Sequence, residues 1–268
     1  MILKSNAIVL AISAFSQTSH IITWLTRDYG RVTTAAKGAC RVKSALLGQY
    51  DLFYTNELLF YRRSSHNGIH AIRECAPLNF REELRADWRA ASAARYLTDL
   101  TARLSVSTAA REVYDDLSHA LDVLCNCEHS SIESLIFWYE MRLLRHHGIA
   151  PDFTICPQCR SNNAEWLRFS ISSGRLICPH NTPNNSPEQC ITLHRDVVKL
   201  LRRFGKCEFF KACQFNPIMK VENKNDKKTN LVLGLSRFLG IFIVFHLDVP
   251  VFVRRSTFEI LNSQPTLL

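Results

Sequence analysis

Residues 6–37 read NAIVLAISAFSQTSHIITWLTRDYGRVTTAAK, and this stretch decides the fold of the amino-terminal part of the chain. It alternates runs rich in β-branched and aromatic residues with turn signals such as Asp28-Tyr29-Gly30, a pattern that predicts short strands joined by tight turns. Two further runs follow before Pro77, so the expected strands are 6–14, 20–26, 31–37, 51–61 and 68–75. Five short strands in this order predict a small β-barrel or sandwich.

Beyond residue 79 the apolar residues recur at every third or fourth position, which is the spacing of amphipathic helices. Residues 80–104 are rich in Ala, Leu, Arg and Glu, and Ser130 with Glu133 forms a capping box ahead of an apolar stripe that Gly148 ends. The same spacing predicts helices at 113–124, 193–204 and 231–245, and the polar run 216–230 predicts a loop. The fold class is therefore expected to be α+β, with the β-domain first.

The net charge of +9 is unevenly distributed along the 268 residues. Residues 1–78 hold nine Lys and Arg against four Asp and Glu, and residues 193–268 hold thirteen against six. The middle segment, 79–192, holds eleven against fourteen. Two basic ends around an acidic middle favour contact with a polyanion such as nucleic acid, although basic proteins that bind none are also common.

The ten cysteines point to metal rather than to disulfides, because the first residues show no secretory signal and thiols in such a chain are expected to be reduced. Cys156-Pro157-Gln158-Cys159 forms a two-residue knuckle, and Cys178 follows it at the spacing of a zinc ribbon. Residues 166–175 between them predict the short hairpin that ribbons use.

The fourth ligand of this zinc site is open, because Asn181 occupies the position three residues after Cys178 where a ribbon has its last cysteine. Cys190, which follows a polar insertion, is the favoured substitute, and His180 is the alternative. A lost site, with cysteines that only pack, is the third reading. No Glu nearby is positioned to act on bound water, so the expected zinc is structural.

Three segments, taken together, resemble the RecO family of bacterial recombination mediators. Lys37-Gly38-Ala39-Cys40-Arg41-Val42-Lys43-Ser44 is similar to the Lys-Gly-Ala-Arg-Arg-x-x-Lys-Ser signature that follows the third strand in that family, with Cys40 where the first paired arginine is usual. Residues 142–159, RLLRHHGIAPDFTICPQC, are similar to the family's helix, Gly-x-x-Pro-Asp junction and knuckle. In the third segment, 237–255, a helix ends in His-Leu-Asp-Val-Pro before a basic pair.

The resemblance covers nearly the whole chain and implies a multidomain α+β fold. It implies an OB-fold in residues 1–78, an α-helical domain in 79–150 and 193–268, and a zinc-ribbon-like insertion in 151–192. It further implies binding to single- and double-stranded DNA, annealing of complementary strands, and partnership with RecR and the tail of single-stranded-DNA-binding protein, so that RecA loads at gaps and breaks. A cytoplasmic, nucleoid-associated protein without a membrane anchor is expected, since the apolar stretch 231–250 is interrupted by charged residues.

The candidates for phosphate contact are cations of the first domain, and the candidates for base stacking are aromatic residues of the same domain. Lys37, Arg41 and Lys43 lie close together in a glycine-containing loop, although a solvated charge run is the alternative reading. Trp24, Phe53 and Tyr54 are more often core residues than stacking platforms when they occur in strands. The full set of predicted DNA-binding residues is Arg27, Arg31, Lys37, Arg41 and Lys43, with Arg62 and Arg63 at a strand end.

Arg237, Arg254 and Arg255 accompany the apolar helix 231–245, and together they suit an acidic peptide with an aromatic end. The resemblance gives this description to the tail of single-stranded-DNA-binding protein. The alternative is that the apolar stripe serves packing alone.

No catalytic motif appears in the sequence: there is no phosphate-binding Gly-x-x-x-x-Gly-Lys-Ser/Thr loop, no Gly-x-Gly-x-x-Gly, no His-Glu-x-x-His and no Gly-x-Ser-x-Gly. A non-enzymatic protein is therefore expected. The competing interpretations are a zinc-ribbon and helical scaffold for protein partners, and an RNA-binding OB protein. Salt-dependent retention on DNA distinguishes the first, and competition with structured RNA distinguishes the second.

Overall fold

The computed structural model describes residues 1–62, 68–104, 110–154, 165–177, 189–211 and 225–263, with only the backbone for 225–230. The chain forms two compact units, one of Met1–His129 with the segment from Ile260 onward, the other of Ser130–Glu259. The division predicted from the sequence, with boundaries at 78, 150 and 192, stays a prediction.

The first unit contains a closed five-stranded barrel. Its strands are β1 Ile2–Ser16, β2 Ser19–Thr26, β3 Gly30–Ala36, β4 Thr55–Tyr61 and β5 Ile69–Asn79. Their order around the barrel is β1-β2-β3-β5-β4, and β3 pairs with β5 in parallel. All five predicted strands are confirmed, and the barrel is OB-like rather than a sandwich.

Alternating side chains of these strands fill the barrel interior. Trp24 is fully buried, and its indole Nε1 donates a hydrogen bond of 2.8 Å to Thr34 Oγ1. Tyr54 and Phe60 are buried in the same core. The interpretation of Trp24 and Tyr54 as core residues is therefore confirmed. Phe53 lies in the turn before β4 with a positive φ of 70°.

Three helices complete the first unit: α1 Glu83–Ala86, α2 Trp88–Arg103 and α3 Ala110–Leu124. The Asp87 carboxylate caps α2 by accepting from the Arg89 amide at 2.8 Å. The buried Arg81 guanidinium joins the barrel to α3, since it donates to the Phe53 carbonyl at 2.6 Å and to Asp122 at 2.8 Å. This residue fixes the start of β4 against the helical layer.

The second unit is built from helices and a small sheet. Its elements are α4 His129–His146, β6 Trp166–Ser170, β7 Arg175–Leu176, β8 Cys190–His194, α5 Arg195–Lys206, α6 Asn225–Leu247 and α7 Val251–Asn262. The sheet has the order β7-β6-β8, and β6 pairs with β7 in the hairpin predicted at 166–175. None of the helices in the described part of the chain is long and apolar enough to cross a membrane.

Several boundaries differ from the sequence prediction. Residues 51–54, predicted as strand, precede β4 and include Phe53 with its positive φ. Residues 225–230, predicted as loop, are the first turns of α6, because the apolar stripe further along stabilises the whole helix and overrides the local polarity. Leu193 and His194, predicted as helical, end β8 instead. The His194 ring then caps α5, since its Nδ1 accepts from the Asp196 amide at 3.2 Å.

Candidate nucleic-acid interface

The connection between β3 and β4 begins with residues 37–48, which we call the basic loop. Gly38 has a positive φ of 67°, a conformation that glycine adopts without strain. The Gly38 amide donates to Ser19 Oγ at 3.1 Å, and the Cys40 amide donates to the Thr18 carbonyl at 3.1 Å. These bonds hold the basic loop against the turn between β1 and β2.

The cations of the basic loop have no carboxylate partner among the described residues. Lys37, Arg41 and Lys43 are exposed, and none forms an ion pair with a carboxylate in the part of the chain that the structure describes. The sequence has no Asp or Glu between Lys37 and Tyr50. Uncompensated cations on an anchored backbone form a positive surface that a phosphate chain can follow.

Phe15 was missed by the sequence analysis. It lies at the end of β1, next to the turn that the basic loop contacts, and its side chain is 61% exposed. An exposed aromatic ring on the strand that leads into this turn is suited to stack an unpaired base. Its place directly before the polar turn Ser16-Gln17-Thr18 is the signal that would have found it.

Arg27 and Arg31 lie at the opposite end of the β2–β3 hairpin from Lys37. The Arg27 Nε atom is 3.1 Å from Asp115 of α3, and the hydrogen bonding to this carboxylate raises the pKa of the guanidinium. Arg31 donates to the Ala102 carbonyl at the end of α2. Both side chains are thus engaged with helices of the first unit, and the structure separates them from the basic loop. Arg62 is exposed after β4, and Arg63 lies outside the described residues.

The three arginines predicted to bind a partner's tail are not brought together in one environment. Arg254 is buried and forms a two-pronged ion pair with Glu140, with distances of 2.7 and 3.1 Å. Arg255 is exposed and pairs with Glu259 at 2.8 Å. Arg237 is exposed on α6 and lines a cavity of about 760 Å³ between β8 and α6. The remaining walls of this cavity include Trp166, His194, Leu231, Leu233 and Phe238.

The predicted zinc ligands Cys156, Cys159 and Cys178, with the alternative His180, lie outside the described residues. Cys190 is a free, half-buried thiol at the start of β8, where it pairs with Ser170 of β6. In the described ranges no three His, Cys, Asp or Glu side chains form a group suited to a metal.

The register of the small sheet determines how far Cys190 lies from the chain that leads to Cys178. Ile177, the last described residue after β7, donates its amide to the Arg168 carbonyl at 2.9 Å. Since β7 and β8 flank β6 on opposite sides, strand spacing puts the Ile177 and Cys190 Cα atoms about 12 Å apart. The Cys190 thiol has the right chemistry for zinc, but a site shared with Cys178 requires the chain to span that separation.

Comparison with protein families gives two matches. The model described as "Recombination protein O N terminal" matches residues 1–81, and the one described as "Recombination protein O C terminal" matches residues 85–249.

Curated relatives match over nearly the whole chain. The DNA repair protein RecO of Alkaliphilus metalliredigens is 28% identical over 252 residues, covering 92% of this chain and 95% of the relative. The protein of the same name from Exiguobacterium sibiricum is 29% identical over 242 residues, covering 90% and 93%. That of Halalkalibacterium halodurans is 28% identical over 240 residues, covering 90% and 91%.

Proposed function

The chain belongs to the recombination protein O family, a family of DNA repair and recombination, and from this premise we propose that it binds and anneals single-stranded DNA through the basic loop. With RecR it then helps to load RecA at gaps and breaks in DNA. The protein acts without making or breaking covalent bonds, in the cytoplasm on the nucleoid.

The observation that carries the proposal is the basic loop itself. Lys37, Arg41 and Lys43 have no described carboxylate partner on an OB-like barrel, and hydrogen bonds to the β1–β2 turn restrict the loop that bears them. Each phosphate that such a cation neutralises releases condensed counterions, so binding is expected to be steeply dependent on salt and nearly independent of sequence. Phe15 supplies an aromatic face that accepts any base.

Annealing follows from the same charge. Two complementary strands repel one another, and cations that screen their phosphates lower this repulsion until base pairing supplies the free energy. The proposed activity therefore needs a positive surface and no catalytic group.

Annealing of two complementary labelled oligonucleotides by the full chain tests this function. The rate is expected to rise well above the spontaneous rate at low salt and to fall steeply toward physiological salt. An affinity that does not change with salt would rule out the electrostatic mechanism. If structured RNA displaced labelled single-stranded DNA as effectively as unlabelled DNA does, the RNA-binding alternative would be favoured.

Of the three predicted arginines, Arg237 has the surroundings that best suit the tail of single-stranded-DNA-binding protein, because it lies beside a cavity. Its apolar wall accepts an aromatic end, and Arg237 at its rim matches an acidic peptide, whereas Arg254 is already paired with Glu140. Calorimetry with the tail peptide is expected to show about tenfold weaker binding for Arg237→Glu than for the parent chain. An equal loss for Arg255→Glu would show that Arg255 also contacts the peptide. If the parent chain gave no heat with the peptide, the proposed binding site would be rejected.

We also propose one structural zinc ion per chain, held by Cys156, Cys159 and Cys178 with Cys190 as the fourth ligand. The ion would cross-link a module too small to be stabilised by its own core. Metal content is expected to be lost in Cys156→Ser and weakened in Cys190→Ser, but nearly kept in His180→Ala. Full occupancy in Cys190→Ser with loss in His180→Ala would reverse the assignment, and chelation is expected to lower the melting temperature more than the DNA affinity.

A further inference from the structure

The basic loop contains a thiol with an imidazole partner. Cys40 is exposed, and its Sγ atom lies 3.4 Å from Nε2 of His20 on β2. The other cysteines in the described ranges are buried or half-buried: Cys75, Cys125, Cys127, Cys190 and Cys207. The hydrogen bond from the Cys40 amide to the carbonyl of Thr18, two residues before His20, keeps the two side chains together.

Tyr50 orients the His20 ring. Its hydroxyl lies 2.8 Å from His20 Nδ1, and it packs edge-on against the buried Trp24. Burial raises the pKa of the Tyr50 phenol to about 12, so the hydroxyl keeps its proton and can donate it in a hydrogen bond to Nδ1. When Tyr50 donates to Nδ1, the neutral ring carries its proton on Nε2, the atom that faces the sulfur, where it can donate a hydrogen bond to a thiolate.

Other described thiols have the opposite environment. Burial raises the pKa of Cys75, Cys125 and Cys127 to about 11, which keeps them protonated and weakly nucleophilic. Cys40 thus differs from them in being both exposed and paired with an imidazole. An exposed thiol beside a hydrogen-bond donor and among cations has the kind of environment in which cysteines react.

The charges around Cys40 select the reagent. Lys37, Arg41 and Lys43 surround it in the sequence, and no carboxylate interrupts the loop. An exposed thiol in a positive field attracts anionic reagents over neutral ones. Oxidised glutathione, a small disulfide rich in carboxylates, meets this description.

We propose that Cys40 is a modification site for anionic low-molecular-weight disulfides, and that the mixed disulfide formed there weakens DNA binding by the basic loop. The Cys40 thiol first loses its proton to water, and the Nε2–H group of His20 donates a hydrogen bond to the resulting thiolate. The thiolate attacks one sulfur of the disulfide, a new S–S bond forms, and the old S–S bond breaks. The departing thiolate carries away the electron pair and takes up a proton from water. Cys40 is oxidised, the released half of the reagent is reduced, and excess thiol reverses the step.

The effect on DNA binding rests on the function proposed above. The adduct places a net negative group among the cations of the basic loop and covers part of it. Loss of about one phosphate contact to a single strand corresponds to about fivefold weaker binding at roughly 0.1 M salt.

The test uses the reduced full chain, oxidised glutathione as the probe, and peptide mapping by mass spectrometry. Cys40 is expected to be modified first, with no adduct at this position in Cys40→Ser. His20→Phe is expected to slow the reaction at least about tenfold, and Cys207→Ser, a half-buried control, is expected to react at Cys40 like the parent.

DNA affinity is measured on the same samples. It is expected to fall about fivefold in the modified parent, to recover with dithiothreitol, and to stay constant in treated Cys40→Ser. Preferential modification of other thiols, or an unchanged rate in His20→Phe, overturns the site. A stable adduct with unchanged DNA affinity overturns its regulatory effect. Failure of the unmodified chain to bind DNA overturns the proposed function, and selective modification of Cys40 would still stand.

Discussion

Removing the charge of the basic loop is the sharpest test of where DNA binds. The variant Lys37→Gln/Arg41→Gln/Lys43→Gln keeps three polar side chains of similar length and leaves Cys40 and the anchoring backbone bonds unchanged. Each phosphate contact with a single strand contributes about 0.7 to the slope of log affinity against log salt concentration, so three contacts contribute about 2. At roughly 0.1 M salt this corresponds to about hundredfold weaker binding.

Fluorescence anisotropy of labelled oligonucleotides across a salt series measures both quantities at once. We expect the variant to bind all sequences less tightly by the same factor, because phosphate contacts carry no sequence information. The slope against salt is expected to become shallower by about 2. A loss confined to one sequence would indicate base readout instead.

A matched control separates local charge from net charge. Lys4→Gln/Arg95→Gln/Lys199→Gln removes the same total charge, but each of these cations is paired with a carboxylate, of Glu57, Asp99 and Asp196 respectively. We expect its affinity to stay within about twofold of the parent, because paired surface charges contribute little to an external field. Equal losses in both variants would refute the assignment to the basic loop, and an unchanged loop variant would show that the surface is wrong.

Three further predictions concern stability, and urea unfolding followed by circular dichroism measures each. Arg81→Met leaves the partners of a buried guanidinium unsatisfied and is expected to cost about 2–4 kcal/mol, whereas a loss below about 0.5 kcal/mol, as for a surface arginine, would contradict that role. Glu140→Gln leaves the buried Arg254 charge without its carboxylate and is expected to cost about 3–5 kcal/mol of unfolding free energy. The double variant Glu140→Leu/Arg254→Met is expected to restore most of this loss. No recovery would show that geometry, not charge, matters there. Gly234→Ala is expected to cost about 1–3 kcal/mol, because its Cβ would lie 2.8 Å from Val197 Cγ2, and a neutral result would mean that α5 shifts freely.

The strands were predictable because their signal is local. Alternating apolar residues and the turn at Asp28-Tyr29-Gly30 mark β2 and β3 without reference to the rest of the chain. The closed order of the strands is not local, since β3 pairs with β5 across the whole β3–β4 connection and β4. The sequence therefore left barrel and sandwich open, and long-range pairing decided between them.

The contacts of each candidate residue were harder to predict than the strand, helix or loop in which it lies. Arg27 and Arg41 are equivalent positive charges in the sequence, but Arg27 meets Asp115, which is far along the chain, whereas Arg41 meets no described carboxylate. Arg254 was predicted to contact a partner's tail, but it is buried against Glu140, a carboxylate 114 residues away in the sequence. The contact between Cys40 and His20 depends on the register of the β2–β3 hairpin, which places His20 opposite Ala36, four residues before Cys40.

The distribution of paired and unpaired charge explains why a modest loop can outweigh a more basic segment. Residues 193–268 have the largest excess of cations, yet Lys199, Arg254 and Arg255 are matched by nearby carboxylates. At roughly 0.1 M salt a charge acts over only about 10 Å, so the charge within that distance of a phosphate chain matters more than the excess of a whole segment. The cations of the basic loop follow one another within seven residues on an anchored backbone and have no described carboxylate partner. Local density of uncompensated charge, rather than net charge, is therefore what makes the barrel the expected binding surface.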